Sequence, residues 1–245
     1  MLLQRATWPD VQAYLERSQG VVIPIGSTEQ HGPTGLIGTD AICPETIAGG
    51  MADEGILVAP TLSIGMAQHH LAFPGSITLR PTTLIALVRD VVTSLSSQGF
   101  THFYFLNGHG GNIATVQAAF AEIWAEHSLA GQASGLKLRL ANWFMGKQVV
   151  ALSRELFGDA EGAHATPSEI SLTWHAYPEA ERRAELKPKL APTGPIRDAR
   201  DYRQHFPDGR IGSDPSLASR DHGQRLYKAG LADALADYQA FLTAS

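Results

Sequence analysis

Glu29 and His31 stand two residues apart in Gly26-Ser27-Thr28-Glu29-Gln30-His31-Gly32-Pro33. In extended chain such residues project to the same side, so a carboxylate and an imidazole converge. That pair suits zinc, manganese or iron. Asp40 follows in Gly38-Thr39-Asp40, at the start of an expected helix. Its plain alternative is a helix cap in a polar loop. A second cluster, Asn107-Gly108-His109-Gly110-Gly111-Asn112, sets a histidine among three glycines. Glycines let a backbone turn sharply and approach a ligand closely, and packing gives no reason for a histidine there. The alternative is an anion-binding loop at a helix N-terminus, although neither G-x-G-x-x-G nor G-x-x-x-x-G-K-[ST] is present. The third cluster is Glu161-Gly162-Ala163-His164-Ala165-Thr166-Pro167-Ser168-Glu169. Thr166 to Glu169 reads as a capping box with proline in the first helical turn, so Glu169 is a helix-start residue or a metal ligand. His164 has no part in that cap and is a candidate proton shuttle.

These clusters need elements that bring them to one place. Val21 to Ile25 is a short apolar run ending at the first cluster, and it reads as a strand buried on both faces. Residues 101–106 read as a strand ending at the second cluster, and 137–141 as another, followed by Trp143. Residues 56–61 read as a further strand. Helical spacing is expected over 41–53, 81–98 and 113–127, after a first helix entered through Thr7-Trp8-Pro9-Asp10 and running to about Ser18. Strands alternating with helices predict an α/β fold with a mainly parallel sheet covered on both faces. In such sheets, sites lie beyond the carboxyl ends of the strands, which is where the clusters fall. Residues 178–212, with Pro178, Pro188, Pro192 and Pro195, read as an irregular excursion. A last helix is expected over 214–243, weakened by Gly223 and Gly230.

Together the segments PIGSTEQHG, GTD, FPGSI, NGHGGN and HAxxxE, in that order over residues 20–175, resemble the creatininase (creatinine amidohydrolase) family. Gly212-Ser213-Asp214-Pro215 before the last helix is similar as well. The resemblance implies a three-layer α/β/α sandwich and two divalent ions per chain, zinc first, then manganese or iron. It also implies hydrolysis of a cyclic amide, formamide or other amide-type C–N bond of a small molecule. Glu29 and His109 would hold one ion, His31 the other, Asp40 would bridge them, and Glu169 would complete the second site. His164 matches the histidine placed beside the attacking water. Homo-oligomers, hexamers among them, are also implied. Thr34, Gly35 and Ile37 depart from the HGPHLPLGTD pattern of many members. Gly110 and Gly111 stand where true creatininases carry tyrosine and glutamate, which argues against creatinine itself. A deformylase or a peptidase of cofactor maturation would use the same site.

The chain of 245 residues, 44% hydrophobic and 18% charged, can bury one sizeable core and reads as a single domain. Its net charge of −5 and lack of basic runs disfavour nucleic acid and anionic membranes. Cys43, the sole cysteine, has no internal partner, which fits a cytoplasmic protein. A packed thiol explains it better than a nucleophile. No signal-peptide pattern and no spanning segment is read. His69 or His70, ahead of Phe73-Pro74-Gly75, is a candidate for lining the substrate pocket, as is Trp143 with Gly110 and Gly111. His102, His127, His175 and His205 read as structural or solvent-facing, and His222 as interfacial or exposed. Trp8, Trp124 and Trp174 are expected in the core.

Overall fold

A computed structural model describes residues 1–244. The chain runs α1 (Trp8–Leu15), β1 (Gly20–Ile25), α2 (Thr39–Asp53), α3 (Pro81–Ser96), β2 (His102–Asn107), α4 (Ile113–Leu129), β3 (Lys137–Asn142), α5 (Lys147–Phe157), α6 (Pro167–Ala176), α7 (Ala199–His205) and α8 (Arg220–Thr243). The strands form a parallel sheet in the order β1-β2-β3. Ile25, Asn107 and Asn142 share one register row, so all three strands end at the same edge.

Alternation along the strands builds the layers. Val21, Ile23, Ile25, Phe103 and Phe105 pack with Leu84, Val88 and Val92 of α3 and Val116, Phe120 and Ile123 of α4. Val22, Tyr104 and Leu106 face the other way, onto Ile47 of α2, Val149 of α5, Leu172 of α6 and Leu226 of α8. The result is the expected α/β/α sandwich, with both sheet faces sealed from water.

Residues 56–61 do not make a full strand. Val58 and Leu62 form single parallel bridges to Val22 and Ile25. The ladder cannot close between them, because Pro24 lacks the N–H that the next rung, to the Ala59 carbonyl, would need. The last helix begins at Arg220, after a single turn at Pro215–Leu217, and runs unbroken. Gly223 does not break it. A Cβ there would lie 1.9 Å from the Ser171 carbonyl oxygen, so the glycine lets α8 pack directly on α6. The core expectation fails for two tryptophans, since Trp8 is 77% and Trp124 40% exposed, while Trp174 is fully buried. Trp124 spans half-exposed surface and donates from its indole to the Leu136 carbonyl.

The excursion 178–212 is irregular apart from a turn at Pro178–Ala180 and α7. It is held by Arg210, which is fully buried. The guanidinium donates to Asp208 and to the carbonyls of Pro188 (2.7 Å), Lys189 (2.7 Å) and Ser213 (3.1 Å). Arg210→Ala strands those carbonyls and leaves a cavity. It should lower unfolding stability by about 3 kcal/mol, read as a shifted denaturant midpoint. An unchanged midpoint would refute the clamp.

Candidate metal centre

The site lies where the three strands end. Glu29 and His31 come from the loop after β1, His109 from the loop after β2, and Asp40 from the first turn of α2. Two glycines permit the crowding. A Cβ on Gly108 would lie 2.0 Å from the Asp40 carbonyl oxygen, and one on Gly111 would lie 2.3 Å from His109 Nε2. Gly110 has open space and needs no glycine for packing. Asn107 anchors the loop by accepting from the His109 backbone N–H (3.1 Å) and donating to the His109 carbonyl (2.7 Å). Asn112 ties it to Gly26 and Met66.

Asp40 is central. Its Oδ1 lies 3.1 Å from His31 Nε2 and its Oδ2 lies 2.9 Å from His109 Nδ1. Glu29 Oε2 lies 3.3 Å from His109 Nε2 and accepts from Ser27 Oγ at 2.8 Å. Four donor trios have their ligand atoms within 4.8 Å of one another; two of them, Glu29–Asp40–His109 and His31–Asp40–Glu169, share Asp40, and the others are Glu29–His31–His164 and Glu29–His69–His70. Glu29 Oε1 and Asp40 Oδ2 are buried and make no hydrogen bond, although imidazole nitrogens stand 2.9 Å from each. At Asp40 Oδ2 and His109 Nδ1, whose Nε2 faces the Met66 carbonyl, oxygen and nitrogen lone pairs converge out of hydrogen-bond alignment, which is what a shared cation requires, so the donor set fits divalent metal.

Charge follows from this crowding. Burial alone would pull the His31 imidazolium down, but Asp40, Glu169 and Glu29 outweigh it and raise it to about 10. His109 behaves alike, raised by Glu29 and Asp40 against burial to about 9. Burial would raise the Asp40 carboxyl, yet His31 and His109 hold it well below the usual range. Burial pushes Glu169 up to about 7, with His31 pulling against it.

Glu169 satisfies both of its sequence readings. The Thr166 N–H donates to Oε1 at 2.5 Å, completing the capping box of α6, while Oε2 lies 3.9 Å from His31 Nε2. His164 is largely but not fully buried, with Nδ1 4.0 Å from Glu29 Oε1 and Nε2 2.8 Å from the Gln30 carbonyl. Burial, then His31 and His70, depress it well below an ordinary histidine. Ala165 takes φ +53 between His164 and the cap, a strained turn that costs about 1 kcal/mol and turns the chain from that histidine into α6.

A cavity of about 460 Å³ opens over these groups. Glu29, Asp40, His109, His164 and Glu169 line it, as do His70, Trp143, Gly110 and Gly111; His31 sits behind, its ring buried. Trp143 is therefore both buried and pocket wall. Both His69 and His70 face the cavity, where one was expected. Phe144, Glu161 and Tyr202 complete the wall without having been singled out. Gln30, in the quoted first motif, was also missed. Cys43 is a packed thiol, its Sγ 3.6 Å from the Glu169 carbonyl and its pKa raised by burial.

The family model described as creatinine amidohydrolase matches residues 4–238. A relative named mycofactocin precursor peptide peptidase, from Mycolicibacterium smegmatis, is 35% identical over 118 residues, covering 45% of this chain and 47% of that protein. This chain thus matches about half the length of that relative. A creatinine amidohydrolase of Pseudomonas putida is 25% identical over 245 residues, with 94% of each chain covered. Among solved structures, a mutant creatininase described as Zn-Zn type superposes with a TM-score of 0.86 at 21% identity, covering 99% of this chain and 98% of that one.

Proposed function

The chain belongs to the creatininase family, and from that premise we propose that it is a hydrolase of amide-type C–N bonds working with two divalent ions. The observation that carries this reading is the pair of donor trios sharing Asp40. Glu29, His109 and Asp40 would hold one ion; His31, Glu169 and Asp40 the other, with zinc first and manganese or iron as alternatives. Such ions supply Lewis acidity, which polarises a carbonyl and acidifies water. The remaining work falls to side chains. His164, neutral at working pH, takes a proton from the attacking water through Nδ1 and returns it to the leaving nitrogen. Trp143 and Phe144 wall the cavity and limit water around the reacting bond.

A cavity of about 460 Å³ suits a small molecule. The relatives' names support a panel of cyclic amides and short peptides, to which the sequence motifs add formamides. A phosphate or nucleotide at the 107–112 loop is disfavoured, because Glu29 and Asp40 lie against His109 and would repel it. A homo-oligomer belongs to the same proposal, supported by exposed apolar side chains such as Met145 and Val150. Among the described residues, no helix is long and apolar enough to cross a membrane.

The test is metal analysis of protein purified without chelator, followed by that panel. His31 and His109, raised to about 10 and about 9, carry protons at pH 7 in the metal-free protein, and an incoming ion must displace them. With Glu169, raised to about 7 and so half protonated there, binding at pH 7 should release between two and three protons, measured by calorimetry in buffers of different ionisation enthalpy. Apparent affinity should tighten as pH rises, since fewer protons compete. In chelated protein the sign reverses. The raised histidines contribute stability that is complete below their ordinary 6.5 and is lost as pH rises through 9 to 10. Fewer than one ion per chain, unresponsive to added metal, would sink the proposal.

A further inference from the structure

Gln30 lies between two of the assigned ligands, yet alternation along the loop sends its side chain the other way. It is buried. The orientation of its amide is fixed by backbone on both sides. The Gly32 N–H can only donate, and it reaches Oε1 at 2.8 Å. The Gly209 carbonyl can only accept, and it lies 2.9 Å from Nε2. Oxygen and nitrogen are therefore not interchangeable here. Gly209 itself admits the contact, since a Cβ there would lie 1.8 Å from Gln30 Oε1.

The amide nitrogen has two N–H groups. One goes to Gly209. His70 Nδ1 at 3.0 Å, His164 Nε2 at 2.9 Å and the Tyr202 hydroxyl at 3.2 Å compete for the other. His164 Nε2 also lies 2.8 Å from the Gln30 backbone carbonyl, an obligate acceptor. A proton on that nitrogen satisfies the carbonyl and leaves Nδ1 with the lone pair. The second amide N–H then falls to His70 Nδ1, so His70 carries its proton on Nε2, the nitrogen 2.9 Å from Glu29 Oε1. Tyr202 donates to Gly209 (2.7 Å) and needs nothing from Gln30.

We propose that Gln30 is the positioning residue of this site: its carbonyl and amide together hold His164 with Nδ1 free toward the cavity and His70 with Nε2–H toward Glu29. The inference rests on the hydrolase reading for its consequence, but its geometry stands without it. Gln30 also joins the histidine pair to the 202–209 stretch of the excursion, so that stretch orients the site although it supplies no ligand.

The test is imidazole tautomer assignment by long-range ¹H–¹⁵N NMR on the zinc-loaded full chain, with selectively labelled histidine. Wild type should show the Nε2–H form at both His164 and His70. Gln30→Met removes both donors at similar volume, and Gln30→Glu replaces the amide by a carboxylate. In Gln30→Met the His70 signal should lose its single tautomer. In Gln30→Glu the carboxylate offers His70 Nδ1 no N–H, so the single Nε2–H tautomer should be lost there too. In both, kcat should fall about tenfold to a hundredfold, with zinc content unchanged. An Nδ1–H tautomer at His164 in wild type, or Gln30 variants with wild-type tautomers and kcat, would overturn the assignment. A protein that binds no zinc would instead refute the hydrolase reading, and the same spectra of the metal-free chain would still decide the role of Gln30.

Discussion

His164→Ala should lower kcat by about 10²- to 10⁴-fold, the usual worth of a general base, while both metals stay bound. The ring lines the cavity, and burial beside His31 and His70 keeps it unprotonated at neutral pH, the state a base must be in. Its Nε2 is engaged by the Gln30 carbonyl, which leaves only Nδ1 for chemistry. That nitrogen is also 4.0 Å from Glu29 Oε1, and a Glu29–His31–His164 trio meets the same distance test as the two assigned ones. The competing role is thus a metal ligand, and the variant separates the two. As a ligand, His164→Ala would lose metal in parallel with activity. As a base, it would keep its metal, and added imidazole would recover part of the rate by occupying the vacated space. His164→Gln, which can still donate to the carbonyl, should be as slow as the alanine variant if base strength is what matters.

Much of this arrangement is legible in the sequence because the determinants are local. Each ligand-bearing motif abuts an apolar run or a capping box, and the parallel sheet carries those ends to one edge. The capping box at Thr166 to Glu169 was readable, and it turned out to be compatible with a ligand role, since one carboxylate oxygen caps and the other faces His31. What escaped depends on distant partners. Helix α5 has no capping side chain of its own. Its first N–H groups, on Gln148 and Val149, donate to Asp233 of α8, at 2.8 and 3.1 Å and some 85 residues away. A start signal supplied by tertiary structure leaves no local trace. Gln30 and Tyr202 belong to the same class: the Gln30 amide meets the Gly209 carbonyl across a separation of 179 residues, and the Tyr202 ring packs on His70. The 56–61 run misled because its apolar composition suits a strand, while Pro24 opposite it in β1 offers no N–H for continuous pairing.

Asp40→Ala should empty the whole centre, whereas Glu169→Gln should cost one ion. The contrast follows from the sharing. Asp40 offers one oxygen to each trio, so its loss removes a ligand from both and also the charge that keeps two divalent ions close together. Glu169 belongs to one trio and reaches it with a single oxygen. Metal per chain should fall from two to near zero in the first variant and to about one in the second. A stability control is needed, because removing one partner from a buried ionic group costs about 3–5 kcal/mol in its own right. Asp40→Asn supplies it, keeping the shape and one acceptor while deleting the charge. Added zinc should raise the melting temperature of chelated wild type by mass action. It should leave folded Asp40→Asn almost unmoved, and Glu169→Gln should respond at intermediate strength. If Asp40→Asn instead keeps one tightly held ion, the two trios do not share a bridge. The centre would then be one metal held by Glu29 and His109, with His31 and Glu169 serving only to orient Asp40 beside it.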